Sequence, residues 1–324
     1  MNEASSKFVD QIATEKLIQE KLSQVRHSTP AVFHLDLADL VDFSQLPGLP
    51  DVVSEQQQAN SIMSWSFQSA LPTAYPENNQ VHCLGYLAKR SGWEYPARGA
   101  LVFIHGLYED NLEIYNFFIT QLNGQGMDVY LMLLPYHYLR TPAASAFSGE
   151  YFWSGDLVRS AWAYKQAIYD LYQLQQWVSQ RSGQPAWIVG FSLGGGVALT
   201  LAGLARLPGV FSINPVCNIS RLVWTSPLFA PIQRDLEGSG ISLETVKTVY
   251  KTFEPLNAAP IRTDLDHIVL GRSLYDQIND VSHYGLLVDT WNLRHVIDYK
   301  AGHLNVLRAP RLAMDVTGFA LRDQ

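Results

Sequence analysis

The sequence predicts an α/β fold: a mostly parallel central sheet of about eight strands with helices on both faces, an N-terminal helical extension and a small lid insertion. Three observations carry this expectation. Short apolar runs such as "ALVFIHG", "DVYLMLLP" and "AWIVGFS" alternate with longer segments of helical periodicity, the pattern of strands linked by crossover helices. The runs are apolar throughout rather than at every second residue, as strands covered on both faces are. Finally, 47% of the 324 residues are hydrophobic and 16% are charged, enough apolar mass to fill one large core.

Element by element, Phe8, Ile12, Ile18, Leu22 and Val25 recur at roughly helical spacing, so the first twenty-five residues are expected to form an amphipathic helix packed through that face. The following stretch, through "DFSQLPGLPDVVSEQQQANS", mixes Pro, Gly and polar residues and reads as an extended connector. Residues 1–60 therefore form an extension, and the catalytic-looking domain spans 61–324. "SIMSWSFQSAL" and "VHCLGYLAK", separated by "PTAYPENN", read as an antiparallel pair at one sheet edge. "NLEIYNFFITQLNGQG" is a helix closed by glycine, and residues 156–180 form a long helix with Leu157, Ala161, Tyr164, Ile168, Leu171, Leu174 and Val178 on one side. "LGGGVALTLAGLAR" follows as a helix, "GVFSINP", "HIVLGR" and "RHVIDYK" as strands, and "LNVLRAPRLAMDVTGFAL" holds a closing helix. About fifty residues separate "SINP" from "HIVLGR", far more than a connection needs, and residues 216–256 are expected to form a lid.

The formal net charge of -7, with no basic block, argues against nucleic acid as a partner. Cys83 and Cys217 are the two cysteines, too few for a disulfide framework and too far apart for a CxxC pair. No HExxH motif, zinc-spaced Cys/His cluster or GxGxxG fingerprint occurs, so neither a metal nor another cofactor is expected. With no signal-peptide pattern and no apolar run near twenty residues, no transmembrane segment and a cytoplasmic location are expected.

Gly190-Phe191-Ser192-Leu193-Gly194 fits G-x-S-x-G, a pattern that chance supplies in roughly one chain in ten of this length. Its setting says more. It follows the apolar run "AWIV" and opens a run rich in Ala, Leu and Val, the strand-to-helix bend of a nucleophile elbow; the bland alternative is a tight turn with a capping serine. A serine nucleophile needs a base and a carboxylate to orient that base. His303, in "VIDYKAGHLNVL", lies beyond a strand in a loop that opens a helix, whereas His295 lies within the strand and His27, His34 and His283 lack such a setting. Asp276, in "HIVLGRSLYDQINDVS", follows the preceding strand and is preferred as the acid over Asp280, Asp289 and Glu254. In "FIHGLYEDN" the amide of Leu107 is set to meet an oxyanion together with that of Leu193, and His105 is read as a brace of the turn.

Together, "FIHG", "GFSLGG", "GRSLYD" and "AGHL" resemble the oxyanion strand, nucleophile elbow, acid turn and histidine loop of the α/β-hydrolase superfamily, over residues 61–322. "LLPYHYLRTPAASAFSGEYFWSGD" is similar to a segment of the α/β-hydrolase-domain-containing protein 18 type and, more distantly, of dienelactone-hydrolase-like and acetyl-xylan-esterase-like enzymes. The sequence departs from the common pattern in its first sixty residues and in "RSLYDQI", where Gly-x-x-Asp is usual. The resemblance implies a serine hydrolase acting on a small-molecule ester or lipid-like substrate through Ser192, His303 and Asp276. A thioesterase or acyltransferase with the same three residues, and a non-catalytic binding module, are the alternatives. His137 and Arg140, just past a strand end, and Trp224 in the lid segment are candidate substrate-binding residues. For Arg140 a structural pairing with Glu150 is the competing expectation.

Overall fold

A computed structural model describes residues 2–24, 42–57, 62–88, 97–258, 260–279 and 281–322. Val25, His27, His34 and Asp280, all weighed above, lie outside the described residues. Among the described residues nine strands form one sheet: β1 (Val52–Gln57), β2 (Met63–Gln68), β3 (Gln80–Tyr86), β4 (Gly99–Ile104), β5 (Met127–Met132), β6 (Trp187–Phe191), β7 (Val210–Ile213), β8 (Ile268–Ser273) and β9 (His295–Tyr299). Their order across the sheet is β1-β2-β3-β5-β4-β6-β7-β8-β9. From β5 to β9 every pairing is parallel, and β1 to β3 add an antiparallel edge.

The ninth strand is β1, which falls in the stretch expected to be a connector and pairs antiparallel with β2, Glu55 opposite Trp65. The expected strands and the long helix otherwise form where the sequence puts them. Along β4, Ala100, Val102 and Ile104 enter one apolar cluster and Leu101 and Phe103 the other, the period-two split of a strand buried on both faces.

Helix α1 spans Glu3–Glu20, α2 Asn116–Gly124, α3 Leu157–Ser182 and α4 Leu193–Leu204. Asp156 caps α3, its side chain accepting from the Arg159 amide, and Gly183 closes the helix at φ 69°. Short helices α5 (Ile219–Thr225), α6 (Ala230–Gly238) and α7 (Leu243–Tyr250) make up the insertion, followed by α8 (Val281–Trp291) and α9 (Leu312–Ala320). Among the described residues no helix is long and apolar enough to cross a membrane.

The face of α1 differs from expectation. Phe8 is 63% and Ile12 46% exposed, while Ser6 and Asp10 are buried. Among the described residues, Leu17 and Ile18 of α1 and Leu22 in the turn just after it pack into the core.

The sheet order reverses at β4, whose neighbours are β5 on one side and β6 on the other. Open α/β sheets place ligands outside the carboxyl ends of their strands at such a switch point. The loop after β4 and the turn after β6 meet there.

Candidate active site

Ser192 occupies the bend between β6 and α4 with φ 53° and ψ -115°, a conformation that costs a non-glycine residue energy and persists only where its surroundings impose it. They do: the Ser192 amide donates to Ile213 O (2.9 Å), and the amides of Gly196 and Val216 both donate to its carbonyl (3.1 Å each). A Cβ on Gly190 would overlap the Gly194 carbonyl, and one on Gly194 would lie 2.6 Å from the His105 carbonyl oxygen. The two flanking glycines are thus required by the close approach of α4 to β4 and β6.

His303 follows β9 and Asp276 follows β8. Ser192 Oγ lies 2.9 Å from His303 Nε2, and His303 Nδ1 lies 2.7 Å from Asp276 Oδ2. All three side chains are buried. Asp276 Oδ1 accepts from the amides of Ile278 (2.8 Å) and Asn279 (2.9 Å), and Oδ2 also accepts from the Tyr284 hydroxyl (2.7 Å). This carboxylate is therefore fixed before it meets the imidazole. Because Asp276 accepts at Nδ1, the neutral ring carries its proton there and leaves Nε2 as the acceptor for the serine hydroxyl. Burial favours the neutral imidazole, but the attraction of Asp276, helped by Asp10 and Glu109, outweighs it and holds the His303 pKa above its ordinary value.

Two histidines support the loop after β4. The His105 Nε2 accepts from the Leu134 amide (3.0 Å), so Nδ1 donates to Gly106 O (2.7 Å); burial lowers its pKa to about 4. His137 Nε2 accepts from the Tyr108 amide (3.2 Å) and its Nδ1 donates to Pro135 O (2.8 Å), with burial again lowering the pKa. Both rings are neutral braces. Leu107 stands on this loop at the cavity, and Leu193 opens α4, where the first amides of a helix have no intrahelical acceptor.

A cavity of about 360 Å³ opens over Ser192 and His303, walled largely by apolar side chains including Leu17, Trp153, Phe191, Leu222, Phe229 and Ile278. Leu222, Leu228 and Phe229 bring the 216–256 insertion to it, and Leu17 brings α1. A larger groove of about 1080 Å³ lies around Trp187, Arg206 and Arg262 at the opposite end of β6, remote from the serine.

The structure places all three substrate-binding candidates away from the cavity. His137 is fully buried behind the loop, for the reason just given. Arg140 is also fully buried: it pairs with Asp170 (2.9 Å) and donates to the carbonyls of Asn78 (2.7 and 3.0 Å) and Leu133 (3.1 Å), so it is structural, with Asp170 in the place expected for Glu150. Trp224 is partly buried against the core and does not line the cavity. Of the aromatic residues in the 133–156 loop, Trp153 reaches the cavity, its ring centroid 4.3 Å from that of Phe229 and tilted by 36°, whereas Tyr136 and Tyr151 pack on Tyr75 beneath the loop.

Asp10, Glu109 and Tyr284 were not singled out by the sequence. Asp10 meets the histidine and acid loops across more than 260 residues of chain, which no local pattern records, and Tyr284, eight residues past Asp276, belongs to no recognisable motif. Glu109, two residues past Leu107, is a cavity residue whose carboxylate accepts from the hydroxyls of Tyr115 and Tyr138. Among the described residues no three His, Cys, Asp or Glu side chains are grouped to hold a metal ion.

No family model and no curated protein matches the chain. Solved structures do. It is similar to an acetyl xylan esterase from Paenibacillus sp. R4 (19% identity, 87% of this chain and 94% of that one, TM-score 0.55). It is also similar to acetyl xylan esterase 1 from Thermoanaerobacterium sp. JW/SL YS485 (16% identity, 90% and 99%, TM-score 0.58) and to a lipase in its open form (16% identity, 81% and 98%, TM-score 0.53). At such identities the likeness establishes the fold: the chain has the α/β-hydrolase fold.

Proposed function

We propose that the chain is a serine hydrolase that cleaves a carboxylic ester through an acyl-enzyme intermediate, with Ser192 as nucleophile, His303 as general base and acid, and Asp276 as the carboxylate that orients the imidazole. One observation carries this reading: the strained Ser192 ends a continuous hydrogen-bonded line to His303 and Asp276, at the wall of an apolar cavity. A serine used only as a turn residue has no need of that line.

In acylation the Ser192 hydroxyl proton passes to His303 Nε2 as Oγ bonds to the ester carbonyl carbon. The oxyanion accepts from the amides of Leu107 and Leu193, and Asp276 stabilises the imidazolium. Collapse breaks the carbon–oxygen bond to the alcohol, which leaves with the proton from His303. Water then repeats the sequence: His303 takes its proton, the hydroxyl adds to the acyl carbon, and Ser192 Oγ departs reprotonated with release of the acid.

The substrate's apolar part fits the cavity. At about 360 Å³ it is more than twice the roughly 150 Å³ of an engineered cavity known to hold benzene, so it admits an acyl group well beyond acetyl. Wild type is expected to react with a fluorophosphonate probe and to hydrolyse p-nitrophenyl butyrate, and Ser192→Ala to lose both by about 10⁴-fold or more in rate. Equal labelling and turnover in the two proteins would end the proposal.

A further inference from the structure

The N-terminal helix meets the rest of the molecule in an unusual manner. Three of its apolar residues, Phe8, Val9 and Ile12, stand in water, and the two residues it buries completely are polar, Ser6 and the carboxylate Asp10. Docking driven by apolar burial would turn the helix the other way. A buried carboxylate is costly unless hydrogen bonds satisfy it, and every donor that Asp10 meets belongs to the two loops that carry His303 and Asp276. Asp10 Oδ2 accepts from the amides of His303 (2.6 Å) and Gln277 (3.2 Å), and Oδ1 accepts from the amide of Leu304 (3.2 Å).

The surroundings are shaped for this contact. A Cβ on Gly302 would lie 2.7 Å from Asp10 Oδ2 and 2.8 Å from the Ser6 carbonyl oxygen, so α1 can seat itself only over a glycine. Asn305 donates to Ser6 Oγ (3.1 Å) while accepting from the Gly302 amide (2.6 Å). Eleven residues further on, roughly 16 Å along a helix, the ammonium of Lys21 donates to the Tyr108 carbonyl and pairs with Asp110 (2.6 Å), fastening the other end to the loop that carries Leu107. Between these two attachments Ala13, Thr14 and Leu17 line the cavity.

We propose that Asp10 is a positioning residue of the site: its carboxylate ties the histidine loop to the acid turn, and α1, held at Asp10 and Lys21, completes the cavity over Ser192. This rests on the serine-hydrolase reading for its consequence in turnover. The geometry has an electrostatic consequence as well. The charged groups that face the His303 imidazole are Asp276 from the acid turn, Asp10 from α1 and Glu109 from the loop after β4; removing Asp10 withdraws one stabiliser of the imidazolium.

The experiment compares full-length wild type, Asp10→Asn and Gly302→Ala. Asp10→Asn sets an amide among three amide donors, and Gly302→Ala keeps the carboxylate but forces α1 away. His303 is titrated by NMR with ring-labelled histidine, its resonance assigned with His303→Gln, and p-nitrophenyl butyrate kinetics are read alongside. In Asp10→Asn the His303 pKa is expected to fall, and in both variants kcat to drop by about a hundredfold, more than KM changes. Folded variants with an unshifted titration and wild-type kcat would overturn the proposal. Should Asp10→Asn not fold, a normal His303 titration and kcat in Gly302→Ala would overturn it equally. If wild type shows no Ser192-dependent turnover, the hydrolase reading fails, while the titration still decides whether Asp10 acts on His303.

Discussion

Glu109 is the residue at the site with the sharpest pH signature. Its side chain is 15% exposed, and burial lifts its pKa to about 7, against the lowering effect of the Tyr115 and Tyr138 hydroxyls and of His303 and Lys21. Those phenols have raised pKa values themselves, burial being the largest cause and Glu109 the next, so they stay protonated as donors to it. A carboxyl whose folded pKa exceeds its unfolded value binds its proton more tightly in the native state, so stability is greatest when it is protonated and declines as pH rises from about 4.5 through about 7. The decline is worth up to about 3 kcal/mol. Melting temperature measured from pH 4.5 to 8 should therefore fall across this window in wild type and fall less in Glu109→Gln. Parallel curves would show that Glu109 ionises freely.

At the scale of elements, the long connection from β5 to α3 is held by one buried ion pair. Arg140, offered by the sequence as a ligand for substrate, spends its guanidinium on Asp170 and on the carbonyls of Asn78 and Leu133. Arg140→Met leaves Asp170 buried without its cation, which costs about 3–5 kcal/mol; the urea midpoint should drop accordingly while kcat for an ester stays near wild type. A kcat lost with stability intact would return Arg140 to substrate binding.

The same contrast explains what the sequence could and could not disclose. Strands β4, β5 and β6 are legible because a strand buried on both faces is an unbroken apolar run, and the positions of Ser192, Asp276 and His303 are legible because each lies just past a strand. β1 is not: "VVSEQQ" is an edge strand, largely polar, after a Pro-rich stretch, and its pairing with β2 leaves no period to read. The docked face of α1 is not legible because apolar periodicity presumes apolar docking, and a helix seated through Ser6 and Asp10 writes no such period. The partner of Arg140, Asp170 rather than Glu150, is not legible because a cation past a strand end looks the same whichever acid it meets.

Across the whole molecule, the proposed site draws on residues 10, 107, 192, 276 and 303, so it forms only when distant parts of the chain are in place. These parts are not equally secured. The sheet lies between two large apolar clusters, and loops bearing Ser192, His303 and Asp276 grow directly from its strands. Helix α1 and the turn that follows it sit outside that sandwich, with polar contacts at Asp10 and Lys21 and modest apolar burial through Leu17, Ile18 and Leu22. Segments with few buried apolar contacts open at lower free energy than the core. Trp65, Trp177 and Trp187 pack in the sandwich, whereas Trp153 borders the cavity that α1 covers, so in a Trp153→Phe background the emission of these three follows the sandwich and not α1. In a urea series, ester hydrolysis should be lost at a lower concentration than tryptophan emission, and α1 amides should exchange with solvent before those of β4 to β7. Coincident transitions would mean that α1 unfolds with the core, and that its apolar contacts are stronger than their number suggests.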